Sequence, residues 1–263
     1  MSQVLNDNQW FSLNGESLSG VTSASVSYSN SIELSPTLGS PNFGFIVNGP
    51  FQTTVSISRL LSENDVFLNY TGQLSFSGAF NYGGKNYSFA SGFLSNYSLN
   101  CGVGQPPEAS VDISVFCELK TGVSEQSPFL FENLFLPSPK SISISGESFS
   151  GNRVGQFNYS LTFERQPVYS IEGGRSAEDV VLVLPIKCSS SVEIDASEEN
   201  MNQSYSLSRE VSDNSVNILV KDRSISKTLF NLPVQNAQIS RQSLSLSDNG
   251  KPVKNIEFLG FLS

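Results

Sequence analysis

The sequence predicts an all-β protein of two tandem homologous domains, each a small β-barrel or β-sandwich with at most one short helix. Three observations predict this fold class. Apolar and polar residues alternate with period two along several segments, glycine-rich turns separate those segments, and the chain repeats itself. With 263 residues, the chain is long enough to bury two ordinary cores.

The alternation is clearest where a hydroxyl residue occupies every second position. Residues 25–32 place apolar side chains between serines, which is typical of a half-buried antiparallel strand with its apolar face inward. The same pattern predicts strands over 157–164, 111–117, 74–80 and 216–220. Helical periodicity is scarce, and it predicts short helices only over 58–67 and 176–181.

The repeat is visible when the chain is aligned with itself so that Gly15 matches Gly146. The segment GESLSG at 15–20 then matches GESFSG at 146–151, and ten of the 25 positions between Ser12 and Pro36 are identical. Chance would give roughly two or three identities, so a duplication is the better account. We therefore expect a first domain over 1–125, an apolar proline-containing linker over 126–137 and a second domain over 138–263. These two domains are called the first and second repeat below, and this self-alignment is called the repeat alignment.

Composition excludes most kinds of catalytic and metal-binding site. The chain has no histidine, and its 15 basic against 24 acidic residues give a net charge of −9. A Ser-His-Asp triad and histidine-based metal sites are therefore excluded, and the acidic balance opposes sequence-specific nucleic-acid binding. Cys101, Cys117 and Cys188 have no CxxC spacing and are expected to be free thiols. We expect no catalytic residue, no metal and no cofactor, so the protein is not expected to be an enzyme.

No membrane segment is expected either. The first ten residues lack the basic and apolar regions of a signal peptide. The longest uncharged stretch, 34–58, is interrupted repeatedly by proline and glycine, which excludes a membrane-spanning helix there.

Charge is distributed unevenly, and this bears on the strand edges. Residues 1–135 contain three basic residues, Arg59, Lys85 and Lys120, against ten acidic ones. Lysine is a common defence of an exposed strand edge, so the edges of the first repeat are expected to be covered or to pair with another chain. Hydroxyl-rich outer faces favour the same conclusion, because they lose little side-chain entropy when subunits pack.

Several features together resemble the tail tube proteins of tailed bacteriophages. They are the glycine-bounded opening Gly20–Ser23, the alternating strand 25–32, the Pro/Gly-punctuated loop 35–50, the run 87–98 and the closing strand near Val111. Some long-tailed phages fuse two tube domains, so that three chains form a ring of six similar units. The duplication here resembles that type.

This resemblance implies a virion structural protein of the phage tail, made in the host cytoplasm. Its partners would be further copies of itself in homotrimeric pseudo-hexameric rings stacked into a tube, and other tail proteins at the tube ends. DNA would pass through the lumen during ejection without specific binding, and no membrane would be involved. The loops 35–50 and 167–185 would reach onto the next ring. The expected ring-stacking residues are Phe43, Phe45, Ile46 and Val47, with Val180, Val181, Leu182 and Val183 in the second repeat.

Two alternatives remain open from the sequence. The first is a phage baseplate or adhesin-type binding module made of two β-sandwiches, which predicts an exposed aromatic or carboxylate-rich site in one repeat alone. Trp10, the sole tryptophan, has no counterpart in the second repeat and is the best hint of such a site. The second is a hydrolase that uses paired carboxylates such as Glu63 and Asp65.

Overall fold

The computed structural model describes residues 10–29, 32–36, 43–82, 84–122, 139–146, 149–172, 174–195, 215–222, 228–246 and 252–262. About three quarters of these residues lie in antiparallel strands, which confirms the all-β fold class. For 32–36 and 43–48 the backbone alone is described. The predicted linker, 126–137, lies outside the described residues, so the division into two domains stays a prediction.

Among the described residues, the first repeat has ten strands and one 3-10 helix, Val66–Tyr70. The strands are β1 (Phe11–Leu13), β2 (Glu16–Ser17), β3 (Val21–Ser29), β4 (Ile32–Pro36), β5 (Phe43–Asn48), β6 (Gln52–Leu60), β7 (Phe76–Tyr82), β8 (Lys85–Gly102), β9 (Glu108–Val115) and β10 (Lys120–Thr121).

The described part of the second repeat has six strands, most of them longer. They are β11 (Pro139–Gly146), β12 (Phe149–Val168), β13 (Asp179–Asp195), β14 (Ser215–Asp222), β15 (Thr228–Leu246) and β16 (Pro252–Leu262).

Both repeats have the same strand order. Hydrogen-bonded neighbours run β1-β7-β8-β9-β6-β3 in the first repeat and β11-β14-β15-β16-β13-β12 in the second. The registers match as well. Phe11 of β1 lies opposite Phe80, and Ile142, which the repeat alignment matches to Phe11, lies opposite Val220.

The matching register continues at the other end of this order. Val26 of β3 lies opposite Val55 of β6, and Phe157, the match of Val26, lies opposite Val192 of β13. Strand pairing in the structure therefore follows the repeat alignment that is visible in the sequence.

The repeats differ in closure. In the second repeat β11 pairs with β12, which closes a barrel of six strands. In the first repeat β1 pairs with the short strand β2, while β3 pairs with β6 alone among the described strands. The residue that precedes β3, Gly20, nevertheless lies close to the end of β6. Gly20 has φ +75°, and a Cβ atom there would lie 2.2 Å from the carbonyl oxygen of Leu60, so glycine is required.

Several details of the predicted elements are corrected. Residues 58–67 are not a helix but the end of β6, a bend and the start of the 3-10 helix. Residues 176–178 are a loop, and 179–181 are the first residues of β13. Parts of 35–50 and 167–185, expected to be loops, are strand instead: 35–36 and 43–48 lie in β4 and β5, and 167–168 and 179–185 lie in β12 and β13. The predicted strands over 111–117 and 216–220 are confirmed as β9 and β14, and the turn between β7 and β8 places Tyr82 opposite Lys85.

Candidate assembly site

The two repeats share one continuous sheet. Strand β12 pairs antiparallel with β8, from Gln156 opposite Gly102 to Thr162 opposite Asn96. The same part of β12 pairs with β13 on its other side, and the same part of β8 pairs with β9. We call this pairing the junction. It makes both strands interior, so their backbone polar groups are satisfied on both sides.

The buried face of the junction is apolar. Leu99, Phe157 and Leu161 are each 1% exposed. Burial of side chains of this size contributes about 1.5–3 kcal/mol each. The same face also buries Tyr97, Cys101 and Tyr159. The junction is therefore held by a shared core as well as by ladder hydrogen bonds.

The opposite face of the junction is polar and uncharged. It carries the side chains of Asn96, Ser98, Asn100, Asn158, Ser160 and Thr162. Gln156 Nε2 donates a hydrogen bond to Asn100 Oδ1 at 3.0 Å, and the hydroxyls of Ser160 and Ser189 lie 2.7 Å apart. These short side chains cross-link neighbouring strands without placing a formal charge on the face.

Two strands have an edge without a neighbour among the described residues. Strand β3, the counterpart of β12, pairs with β6 and with no second described strand. Residues 238–246 of β15, the counterpart of β8, pair with β16 and with no second described strand. The counterparts of the two edges that meet at the junction therefore have no second neighbour among the described strands.

Each repeat also has a hairpin that extends beyond its barrel strands. The first hairpin is β4 and β5; the second is residues 163–168 of β12 with 179–184 of β13 and the loop between them. They share one register position: Pro36 lies opposite Phe43, and Pro167, the match of Pro36 in the repeat alignment, lies opposite Val180. The first hairpin has a register shift between Ser35 and Pro36 that the second hairpin lacks at the matching position.

Arg165 fastens the second hairpin to the first repeat. Its Nε donates to the carbonyl oxygen of Leu94 at 3.0 Å, and its Nη2 donates to that of Gly72 at 2.8 Å. The guanidinium also lies 5.6 Å from the ring centres of Phe93 and Phe163. Burial lowers the pKa of Arg165 to about 10, so the side chain remains charged at neutral pH.

Arg175 and Gln73 complete this fastening. Arg175 Nε donates to the carbonyl oxygen of Gly49 at 2.8 Å, and the guanidinium stacks 4.3 Å from the ring centre of Phe51. The amide of Gln73 bonds both to the carbonyl oxygen of Val180 and to the backbone N–H of Leu182. The second hairpin is thus bound to the first repeat by side chains from both sides.

A small apolar cluster lies beneath the second hairpin. Phe93, Phe116 and Val180 are 8%, 6% and 3% exposed, and the two phenylalanine rings lie 6.4 Å apart. Ala177 packs against them, and its N–H donates to the carbonyl oxygen of Phe116 at 2.9 Å. The hairpin therefore covers aromatic surface that β8 and β9 would otherwise expose.

The predicted ring-stacking residues fall into two groups. Phe43, Phe45, Ile46 and Val47 lie in β5, and their side chains are outside the described part of the structure. Val180, Val181, Leu182 and Val183 lie at the start of β13. Val180 is buried within the chain and Leu182 packs against the core, whereas Val181 is 43% exposed. A role in ring stacking stays a prediction for both groups.

The carboxylate pair considered for catalysis does not form a catalytic site, because Asp65 makes contacts that stabilise the fold. Asp65, named above as one of a possible catalytic carboxylate pair, is buried and forms an ion pair with Arg59 at 3.3 Å. It also accepts the N–H of Phe67 and caps the 3-10 helix. Burial raises the pKa of Asp65, although Arg59 opposes this effect.

The cysteines and Trp10 show no reactive arrangement within the described residues. Cys101, Cys117 and Cys188 are free thiols, as predicted, and burial raises the pKa of Cys101 to about 12. Trp10 is half-buried, and its carbonyl oxygen accepts the N–H of Asn81. Among the described residues, no group of histidine, cysteine and carboxylate side chains could hold a metal ion.

Sequence reasoning missed the residues that fasten the second hairpin. The repeat alignment matches Arg165 to Leu34, and that difference between the repeats was the available signal. Gln73 and Phe116 gave no comparable signal, because their importance depends on contacts between the repeats.

No family model matches this sequence, and a search of curated proteins finds no similar one. The described ranges contain no apolar helix long enough to cross a membrane.

Proposed function

We propose that the protein is a structural subunit of a phage tail tube. Three chains join edge to edge into a pseudo-hexameric ring, rings stack into a tube, and DNA passes through that tube during ejection. The observation that carries this proposal is the junction of β8 with β12, together with the two matching edges that have no described neighbour.

The geometry of the edges favours a ring. If β3 of one chain pairs with β15 of the next, each chain offers two different edges, and the contact is head-to-tail. Such contacts close when the rotation between neighbours suits a ring. Because each chain already contains one junction, three chains give six similar junctions and leave neither of these edges exposed.

The chemistry of the junction suits a conduit for DNA. Its polar face is uncharged, and Ser25, Ser27 and Ser29 continue the same chemistry along β3. The chain carries a net charge of −9. The junction strands themselves offer phosphate no basic side chain on this face, which Lys187 of β13, opposite Thr162, borders. This composition supports passage of DNA without specific binding.

The proposal implies a location and partners. The protein belongs to the virion tail, binds further copies of itself and contacts other tail proteins at the tube ends. It needs no cofactor and catalyses no reaction.

Negative-stain electron microscopy with mass photometry tests the proposal on the full chain. We expect hollow tubes, and rings with the mass of three 28.5 kDa chains. A protein that stays monomeric at high concentration would contradict the proposal and favour the alternative, a baseplate or adhesin-type binding module.

Disulfide cross-linking tests which edges meet. Ser27→Cys on β3 is combined with a cysteine at Ser240, Ser243 or Ser245 of β15, because neighbouring strands place Cα atoms at about 4.5–5.5 Å, within disulfide range. We expect at least one combination to give covalently closed trimers after oxidation. The unaltered chain, whose three cysteines are free, is the control. Rings that form without any cross-link at the three positions would show that chains meet through other edges.

A further inference from the structure

The contact of the second hairpin inside the chain indicates what the first hairpin binds. The two hairpins follow corresponding segments, β3 and the first part of β12, and share the register position at which Pro36 and Pro167 lie opposite Phe43 and Val180. The second hairpin crosses the junction and covers Phe93 and Phe116 of the neighbouring repeat. Within the described residues, β4 and β5 pair with each other and with no further strand.

In the second repeat, no described segment covers the surface at the position that the second hairpin covers in the first. Ile113 of β9 and Ile256 of β16 hold matching positions, each opposite a valine of the adjacent strand. Phe116 and Leu259 each lie three residues further along. Phe116 is 6% exposed, whereas Leu259 is 52% exposed and Phe261, two residues later on the same face, is 44% exposed.

The sequence of the first hairpin suits an apolar contact. Phe43 holds the register position of the buried Val180, and Leu34 replaces Arg165. Residues 32–50 contain no lysine or arginine, so the arginine fastenings of the second hairpin have no counterpart there. A contact of this composition would depend on burial of apolar area rather than on charge.

We propose that the first hairpin of one chain docks on the Leu259–Phe261 face of the next chain in the same ring. The inference rests on the proposed ring, since β3 must pair with β15 for the hairpin to reach this face. It assigns the residues Phe43, Phe45, Ile46 and Val47 to the contact between neighbours within a ring, rather than between stacked rings.

Mixed cross-linking tests this contact. A chain with Phe43→Cys is mixed with a second chain that carries Leu259→Cys, and the mixture is oxidised after assembly. We expect a disulfide-linked pair that contains one chain of each kind. Mixing Phe43→Cys with Leu74→Cys is the matched control, because Leu74 is also an exposed leucine, at 66%, but lies in the first repeat, away from the proposed contact.

A substitution test measures the strength of the contact. Leu259→Ser combined with Phe261→Ser should raise the concentration at which half the chains are in rings by at least tenfold. The urea unfolding midpoint of the single chain should fall only slightly, because about half of each side chain is already exposed there. Leu74→Ser should leave both quantities unchanged.

The outcomes separate this inference from the proposed function. Rings linked through Ser27→Cys but not through Phe43→Cys would overturn the hairpin contact and leave the ring intact. A link that forms in tubes but not in isolated rings would assign the hairpin to stacking and overturn the inference. A monomeric chain without either link would overturn both proposals.

Discussion

Strands β3 and β12 are the same segment of the two repeats, yet their surroundings differ. Both pair with the following strand in matching register, but β12 also pairs with β8 and β11, whereas β3 has no second described neighbour. A single chain with two repeats and head-to-tail edges can form only one such contact internally. The second contact must therefore be made with another chain or left open.

The two hairpins extend this comparison. The second is fastened by Arg165, Arg175 and Gln73, while the first has leucine at the position of Arg165. Permanent intramolecular contact and reversible contact between chains favour different chemistry. Buried charged hydrogen bonds suit a contact formed once during folding, and an apolar face suits one formed during assembly.

The largest expected effect comes from proline in the shared sheet. Ser160 lies opposite both Ser98 and Ser189, so proline there removes a hydrogen-bond donor whichever strand receives it. Ser160→Pro should lower the free energy of unfolding by at least about 3 kcal/mol or prevent folding. Ser29→Pro, at the matching position of β3, should cost only about 1 kcal/mol, since Ser29 has one described neighbour, Gln52. Urea denaturation measures both, and equal costs would mean that β3 and β12 have equivalent surroundings in the single chain.

A smaller effect is expected when the second hairpin is made to resemble the first. Arg165→Leu removes two charged hydrogen bonds, which should cost about 2 kcal/mol and speed hydrogen exchange over 163–183. Arg241→Leu is the control. Its exposed pair with Glu257, at 3.8 Å, should contribute less than about 0.5 kcal/mol. Unchanged exchange in Arg165→Leu would show that this arginine does not hold the hairpin.

The smallest effect concerns pH and the buried carboxyl group of the first repeat. The pKa of Asp65 is raised above 3.8 by burial, so the folded chain binds this proton more tightly than the unfolded chain. The contribution of Asp65 to stability should therefore be complete below pH 3.8 and should decrease as pH rises through the raised pKa. The decrease should be no steeper than about 1.4 kcal/mol per pH unit. Urea titrations of the native chain and Asp65→Asn at several pH values isolate this contribution, and a contribution that increases with pH would reverse the assignment.

Much of the strand content is predictable from local pattern. Alternation predicts β9 and β14, because period two reports directly which residues face a core. Alternation does not locate the end of β6 within 58–67. The charged residues Arg59 and Asp65 are buried there as an ion pair, whereas alternation assigns charged residues to the exposed face. It also fails at 167–185, where Val180 and Leu182 continue a strand although the prolines suggest a loop.

The sequence by itself determined the all-β class and the repeat alignment, since both depend on the order and type of residues along the chain. Only the tertiary structure decided which strand joins the two repeats. Alternation specifies the face of a strand but not its neighbour, and β3 and β12 carry similar patterns. The covalent link between the repeats makes one junction internal. It places Phe116 beneath a hairpin and leaves Leu259 exposed.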